Sequence, residues 1–319
     1  MPQIVSQPNS IILAGSNSRR LAYSIGNTFN LPVLQHKITH FINSEMKITL
    51  PFRLDLDTKV WLVQSTSNPA NDNLMELMLM VDTLRLEGIT DINVVIPYFG
   101  YSRQDKQHLS GECLSMKMIT NILMNLGVQQ IVTCDIHNTG ILEGLNLKVI
   151  DQSTLGVMAT QIYKDLKLNS ETEKNFIIAS PDQGGVFRCD YFAKHFYSDQ
   201  ANVKMVSIKK ERELTTAHYS SAVELYGEID RSSIILIDDV STSGGTILNA
   251  IELCKSNHVT NVYVVIVHAD FAKGVVEKFE NHDLIKKIYT SNTIEKPVED
   301  LDWFHKVKII DIAASLDLN

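Results

Sequence analysis

The chain has 319 residues, of which 44% are hydrophobic and 21% are charged, and its formal net charge is −8. This balance is typical of a soluble globular protein, and the length is enough for two domains of ordinary size. The negative charge disfavours a broad nucleic-acid-binding surface. No apolar run approaches the ~20 residues of a membrane-spanning helix, and the first ten residues do not resemble a signal peptide. We therefore expect a cytoplasmic protein that contacts neither nucleic acid nor membrane.

The four cysteines, Cys113, Cys134, Cys189 and Cys254, show no CxxC spacing. A disulfide framework or a zinc site therefore has little support. The pattern favours four reduced thiols.

Apolar runs that are typical of buried strands alternate with segments of helical periodicity. Short apolar strands separated by helices predict parallel sheets that are covered on both faces. The pattern fills two halves of ~150 residues, so we predict an α/β protein with two tandem domains, residues 1–154 and 155–319. The predicted strands are 10–15, 60–66, 92–98, 130–135, 176–180, 204–208, 234–237 and 262–267, and the predicted helices are 19–29, 74–87, 115–126, 186–196 and 246–255.

The last apolar run, residues 308–312, is a candidate to return to the sheet of the first domain. In folds of this class, ligands bind beyond the carboxyl ends of the strands. The polar segments that follow predicted strands are therefore the candidate site, and they comprise residues 64–67, 98–105, 135–137, 180–185, 209–212 and 238–246.

The sharpest local signal lies at residues 234–246, where an apolar strand ends in Asp238 and Asp239. The two carboxylates repel a phosphate, but they can accept hydrogen bonds from sugar hydroxyls. The turn that follows contains Gly244 and Gly245, which let the backbone approach an anion closely.

The same turn carries hydroxyl donors at Ser243 and Thr246 and opens a helix, whose N-terminal N–H groups and dipole favour an anion. One loop can thus hold both ends of a ribose phosphate. The chain has no GxxxxGK[ST] motif, so this is not an ATP-cradling P-loop. A surface turn with a capped helix is the alternative interpretation.

This loop resembles the phosphoribosyl-binding motif of the phosphoribosyltransferase superfamily. Two further segments, QSTSNPANDNLMEL at 64–77 and IPYFGYSRQD at 96–105, resemble segments of the ribose-phosphate diphosphokinases, also called phosphoribosyl pyrophosphate synthetases. Further matches, in the order and spacing of that family, are DIH at 135–137, SPDQGG at 180–185, KER at 210–212 and SNTI at 291–294. The resemblance covers nearly the whole chain.

The resemblance implies two tandem phosphoribosyltransferase-like domains with the active site between them, ATP on the side of the first and ribose 5-phosphate on the side of the second. The implied reaction moves the β,γ-diphosphoryl group of ATP to the C1 oxygen of ribose 5-phosphate, giving 5-phosphoribosyl 1-pyrophosphate and AMP. The implied cofactor is Mg²⁺. The implied assembly is a homo-oligomer, a hexamer built from dimers, in which a neighbouring subunit completes the adenine site.

The family likeness places adenine at Phe41, Asn43, Ser44 and Glu45. In an extended hairpin, Phe41, Asn43 and Glu45 would point to one face, because they are spaced by two residues. A purely structural hairpin is the alternative. The remaining ATP-binding residues that the resemblance implies are Arg103, Gln104, Asp105 and His137. The guanidinium of Arg103 presents a fork of hydrogen-bond donors that suits a phosphate.

His137 and Asp182 each follow a predicted strand, one in each half, and both resemble Mg²⁺-site positions of the family. Mg²⁺ keeps several waters and takes few protein ligands. Histidine is not a preferred Mg²⁺ ligand, so contact through water is the expected mode. A hydrogen-bonded structural histidine is the alternative interpretation of His137.

Lys210 and Arg212 are the predicted catalytic residues. In extended chain both face one side and Glu211 the other, and two cations suit the charge that develops during diphosphoryl transfer. The polar residues 213–221 are a candidate lid. The alternative is a solvated charged turn. The ribose 5-phosphate-binding residues that the resemblance implies are Arg212, Asp238, Asp239, Thr242, Ser243, Gly244, Gly245 and Thr246.

The sequence departs from the family pattern in places. Asn43 replaces the usual carboxylate of the adenine hairpin, and Thr242 stands where a further acid is usual. Residues 107–112 carry fewer basic side chains than expected, and Asn138 and residues 144–146 replace a small residue and Gly-Phe-Phe. The residues assigned to chemistry are retained, which favours an active enzyme. The alternatives are a non-catalytic regulatory subunit of such a synthetase, a phosphoribosyltransferase, and a nucleotide-binding module without catalysis.

Overall fold

The computed structural model describes residues 3–4, 9–104, 106–107, 109–212, 221–295 and 304–318. These residues form two compact units. The first unit comprises the described residues of Met1–Ser153, Thr293–Lys296 and Asp311–Asn319, and the second comprises those of Thr154–Asn292 and Pro297–Ile310. None of the described helices is long and apolar enough to cross a membrane.

The first unit is built around a parallel sheet. Its strands are β1 (Gln3–Ile4), β2 (Ser10–Ala14), β3 (Val33–Gln35), β4 (Lys37–His40), β5 (Met46–Thr49), β6 (Phe52–Arg53), β7 (Lys59–Val63), β8 (Ile92–Ile96), β9 (Val128–Cys134) and β10 (Lys148–Gln152). The six-stranded sheet has the order β10-β9-β8-β7-β2-β3, and each of its pairs is parallel. β4 and β5 form a separate antiparallel hairpin, and β1 pairs with β6.

Helices cover both faces of this sheet. All five residues of β8 are buried, which requires apolar partners above and below the strand because alternate side chains point to opposite faces. One face packs against α2 and α3, and the other packs against α1. The helices of the first unit are α1 (Arg19–Phe29), α2 (Ala70–Leu86) and α3 (Ser115–Asn125).

The second unit repeats this architecture. Its strands are β11 (Phe176–Ser180), β12 (Met205–Arg212), β13 (Ser221–Tyr226), β14 (Ser233–Val240), β15 (Asn261–His268), β16 (Ile285–Ser291) and β17 (Val307–Ile310), and its helices are α4 (Leu155–Asp165), α5 (Val186–Phe196), α6 (Gly245–Ser256) and α7 (Val275–Glu280). The sheet order is β13-β12-β11-β14-β15-β16-β17, and only the β12–β13 pair among these described strands is antiparallel. α4 and α5 cover one face, and α6 and α7 cover the other.

The predicted fold class of two mainly parallel α/β sheets is confirmed. The suggestion that the last apolar run returns to the first sheet is wrong. β17 pairs in parallel with β16 of the second sheet, where Ile288 lies opposite Val307. Residues 307–310 form β17 at the edge of the second sheet, whereas the last two residues of the predicted run, Asp311 and Ile312, belong to the first unit together with the residues that follow them.

Candidate active site

In the first unit, three neighbouring parallel strands, β7, β8 and β9, bring their carboxyl ends to one edge of the sheet. The segment after β7, residues 64–67, is buried there. Asn17 donates a hydrogen bond from Nδ2 to Ser67 Oγ (2.8 Å), and the Ser65 N–H donates to Ser18 Oγ (2.7 Å). These contacts tie the loop after β2 to the loop after β7. Residues 64–67, which begin the segment that resembles the ribose-phosphate diphosphokinases, therefore have a structural role at this edge of the sheet.

The turn after β8 contains Arg103 and Gln104, two of the predicted ATP-binding residues. Its Gly100 N–H donates to Thr66 Oγ1 (2.8 Å), and a Cβ at Gly100 would lie 2.2 Å from the Thr66 carbonyl oxygen. Only glycine allows this close approach. The Gln104 N–H donates to the Tyr101 carbonyl (2.9 Å), and the turn leaves Arg103 and Gln104 exposed. Asp105 lies outside the described residues.

The predicted adenine residues lie at the tip of the β4–β5 hairpin. The Phe41 N–H donates to the Glu45 carbonyl (2.8 Å), and Ser44 has a φ of 71°. The expectation that Phe41, Asn43 and Glu45 alternate along an extended strand is therefore wrong, because residues 41–45 form the connecting turn. All five are exposed, and Phe41 keeps 53% of its surface accessible.

The segment after β9 is held by two carboxylates. The Ile136 N–H donates to Asp151 Oδ1 (3.0 Å), and Ser153 Oγ donates to Asp135 Oδ1 (2.7 Å). Asp135 also takes a left-handed backbone conformation, with a φ of 40°. These contacts fix the two residues that precede His137, and His137 itself is exposed. The metal and ATP roles of His137 stay predictions.

In the second unit, the carboxyl end of β14 carries a buried ion pair. Arg188 Nη2 lies 2.9 Å from Asp239 Oδ2, and each side chain is only 5% exposed. A buried carboxylate needs such a partner to remain ionised. Burial, together with the nearby carboxylates of Asp239 and Asp182, raises the pKa of Asp238 to about 8. The two adjacent aspartates thus differ, since Asp239 has a cation beside it and Asp238 favours its protonated form.

The turn after β14 leads into α6. Gly244 has a φ of 72°, and a Cβ there would lie 2.8 Å from Phe279 Cζ and 2.9 Å from Val275 Cγ1. The structure gives a reason for glycine at position 244 that differs from the predicted approach of an anion. The backbone takes a left-handed conformation, and Phe279 and Val275 leave no space for a side chain. At Gly245 a Cβ would meet only Ser243 Oγ, at 3.5 Å. The first N–H groups of α6 have no partners within the helix and so suit an anion.

The loop after β11 positions Asp182. Its Oδ1 accepts a hydrogen bond from the Gly185 N–H (3.0 Å), and Ser180 Oγ donates to the Asp182 carbonyl. Asp182 is exposed. The described residues contain no group of three or more histidine, cysteine or acidic side chains arranged around a metal position.

Lys210 and Arg212 lie near the end of β12, which neighbours β11 and pairs with β13 so that Arg212 lies opposite Ser221. The extended backbone expected of this segment is therefore present. The side chains of residues 209–212, and residues 213–220 of the candidate lid at 213–221, lie outside what the structure describes. The proposed catalytic roles stay predictions.

Comparison with known proteins identifies the family. Residues 10–127 match the model of the N-terminal domain of ribose phosphate pyrophosphokinase, and residues 157–303 match that of the phosphoribosyl transferase domain. The ribose-phosphate pyrophosphokinase of Mycoplasmopsis pulmonis is 30% identical over 98% of this chain and 92% of the relative, and that of Wolinella succinogenes is 31% identical over 95% and 92%. This chain belongs to the ribose-phosphate pyrophosphokinase family.

The fold comparison agrees with this assignment. The crystal structure of phosphoribosylpyrophosphate synthetase from Mycobacterium smegmatis matches with a TM-score of 0.83, covers 96% of each chain and is 22% identical. It shows that the two sheets and their helices follow the fold of that protein. The family resemblance expected from the sequence is confirmed.

Sequence reasoning missed Arg188, although a signal was available. The buried positions of α5 are 188, 189, 192, 193 and 196, which form one helical stripe, and Arg188 is the only cation on it. A cation in an apolar stripe requires a buried acceptor. In this member of the ribose-phosphate pyrophosphokinase family that acceptor is Asp239.

Proposed function

We propose that this chain catalyses transfer of the β,γ-diphosphoryl group of ATP to the C1 hydroxyl of ribose 5-phosphate, giving 5-phosphoribosyl 1-pyrophosphate and AMP. The observation that carries this proposal is the loop after β14. There, two adjacent aspartates, of which Asp239 is paired with Arg188, precede a glycine-rich start of α6, in a chain of the ribose-phosphate pyrophosphokinase family. We assign ATP to residues 1–154 and ribose 5-phosphate to residues 155–319.

Ribose 5-phosphate would be held at its two ends. The N–H groups at the start of α6, with the hydroxyls of Thr242, Ser243 and Thr246, suit the 5-phosphate. Asp239, with Arg188 beside it, is an acceptor for a ribose hydroxyl. Arg212 is assigned to the same substrate.

ATP would meet the turn after β8. The exposed guanidinium of Arg103 suits the phosphates, and the exposed amide of Gln104 can hydrogen-bond to the nucleotide. The exposed ring of Phe41 supports the proposal that a hairpin tip stacks on the adenine held by a neighbouring subunit. A homo-oligomer is part of this proposal.

The donor set fits Mg²⁺. Asp182 offers an exposed carboxylate, and it lies near enough to Asp238 for its charge to raise the pKa of that residue, after the larger effects of burial and of Asp239. Since Mg²⁺ takes few protein ligands, Asp182 and, through water, His137 are sufficient candidates. When bound, Mg²⁺ would offset the charge on the phosphates of ATP.

The chemistry assigned to this chain is positioning and charge stabilisation. The C1 oxygen of ribose 5-phosphate forms a bond to the β-phosphorus of ATP and loses its proton. The bond from that phosphorus to the α,β-bridging oxygen breaks, and the oxygen leaves with AMP. Lys210 and Arg212 would stabilise the negative charge that grows on the transferred group and on AMP.

The direct test is to incubate the pure protein with ATP, Mg²⁺ and ribose 5-phosphate and to separate the products. AMP and 5-phosphoribosyl 1-pyrophosphate should form in equal amounts and require all three additions. ATP binding without turnover would instead support the non-catalytic regulatory subunit. Release of pyrophosphate from 5-phosphoribosyl 1-pyrophosphate when a base is supplied would support a phosphoribosyltransferase.

A further inference from the structure

Gln104 is tied to the start of α3. Ser115 Oγ donates a hydrogen bond to Gln104 Oε1. Cys113 Sγ lies 3.1 Å from Ser115 Oγ and 3.6 Å from Gln104 Oε1. Ser115 is 5% exposed, whereas Gln104 and Cys113 are exposed. A buried hydroxyl therefore holds one end of an otherwise accessible amide.

This contact decides which end of the amide is offered to a ligand. A glutamine side chain carries an acceptor oxygen and a donor NH₂ group, and rotation of the amide exchanges them. Because Oε1 accepts from Ser115, the Nε2 end is the one that remains for a bound molecule. The backbone adds a second restraint, since the Gln104 N–H donates to the Tyr101 carbonyl (2.9 Å).

We propose that Ser115 is a positioning residue for ATP, with Cys113 as a weaker second contact. It fixes Gln104 so that the amide acts as a hydrogen-bond donor to an acceptor atom of the nucleotide. Fixing the side chain in advance also removes part of the conformational entropy that binding would otherwise cost. The inference rests on the proposed function, because it takes Gln104 to be a nucleotide contact.

The test is a double-mutant cycle with Ser115→Ala and Gln104→Ala, in which kcat and the KM values for ATP and ribose 5-phosphate are measured for each variant. Ser115→Ala should raise the KM for ATP about three- to tenfold, which is the range of one net hydrogen bond, and leave the KM for ribose 5-phosphate unchanged. In the Gln104→Ala background, Ser115→Ala should have no further effect. Cys113→Ala should raise the KM for ATP less, because a thiol is a weak donor.

Thr120→Val is the matched control, because it removes another buried hydroxyl of α3, one that donates to the Met116 carbonyl (2.9 Å). It should leave the KM for ATP unchanged. Equal effects of Thr120→Val and Ser115→Ala, or additive effects of Ser115→Ala and Gln104→Ala, would overturn the positioning role. If Ser115→Ala leaves the KM for ATP unchanged in an active enzyme, the inference fails alone. If the unaltered protein forms no 5-phosphoribosyl 1-pyrophosphate, the proposed function fails and the inference fails with it.

Discussion

Arg188 and Asp239 form a buried ion pair of 2.9 Å, in which each side chain is only 5% exposed. The pair links α5 to the end of β14, and the Val240 N–H donates to the other carboxylate oxygen of Asp239 (2.8 Å). Asp239 is thereby fixed from both sides. Its neighbour Asp238 favours protonation, so the two aspartates are not interchangeable.

Arg188→Ala should strongly destabilise the protein, because it leaves the buried carboxylate of Asp239 without this cation. The loss of one partner of a buried pair costs about 3–5 kcal/mol in the free energy of unfolding. The matched control is Lys194→Ala on the same helix, whose pair with Asp190 is exposed by 60% and 50% and should contribute about 0–1 kcal/mol. Urea unfolding measures both variants. Equal losses in the free energy of unfolding would show that the buried ion pair contributes no more to stability than the exposed one.

Gly244→Ala and Gly245→Ala should separate folding from substrate binding. The first places a Cβ 2.8 Å from Phe279 on a residue with a φ of 72°, and we expect it to lose about 1–3 kcal/mol of stability. The second meets only Ser243 Oγ at 3.5 Å, so the fold should be retained while the KM for ribose 5-phosphate rises. Thermal unfolding and steady-state kinetics test the pair. A stable Gly244→Ala variant, or a Gly245→Ala variant with altered ATP affinity alone, would contradict these assignments.

Lys210→Ala should lower kcat far more than it weakens ribose 5-phosphate binding. The physical reason is that its charge is needed where charge grows in the transition state, and loss of one such group typically costs ~10²–10³ in rate. Lys209→Ala removes the same charge from the preceding residue of β12 and is the control. Turnover and the ribose 5-phosphate Kd are measured separately. Near-normal turnover of Lys210→Ala would remove this residue from the mechanism.

Phe41→Ala should weaken ATP affinity about tenfold to a hundredfold, because stacking of a base on an aromatic ring contributes ~1–3 kcal/mol. Ile42→Ala is the control, since Ile42 is the fully exposed neighbour in the same turn. ATP titration calorimetry measures both variants. An equal effect of the two substitutions would remove the specific role of the Phe41 ring.

Mixing of Phe41→Ala subunits with Lys210→Ala subunits extends this prediction to the assembly. If the hairpin tip serves a neighbouring subunit, some interfaces of the hybrid combine an intact Phe41 with an intact Lys210, and part of the activity returns. Subunit exchange is verified first by mass-tagged chains. No recovery after exchange would place the whole site within one chain.

The sequence predicts the strands best where burial is most complete. β8 and β11 are buried throughout and apolar except for Asn93 and Ser180, so their position and parallel pairing follow from the pattern. β3 escaped prediction because it has three half-buried residues. The position of β17 was predicted but its sheet was not, because a short apolar pattern does not indicate which of two sheet edges the strand pairs with.

The candidate site shows the same limit at the level of side chains. The chemical types of Asp238, Asp239 and Arg103 can be read from the sequence, but the cation that pairs with Asp239 is Arg188, which lies 51 positions away along the chain. A Cβ at position 244 would clash with Phe279, which lies 35 positions later in the chain, and no local motif reveals this contact. Turn chemistry was the missed local signal in residues 41–45, because Asn and Ser favour a turn over an extended strand.

The most direct test of the proposed activity is the fate of phosphorus labels. ATP labelled at the β-phosphate is incubated with the protein, Mg²⁺ and ribose 5-phosphate, and a parallel reaction uses ATP labelled at the α-phosphate. Diphosphoryl transfer predicts that the β-label appears in 5-phosphoribosyl 1-pyrophosphate and the α-label in AMP. A β-label that remains in ADP, or product formation that does not depend on ribose 5-phosphate, would contradict diphosphoryl transfer by this chain.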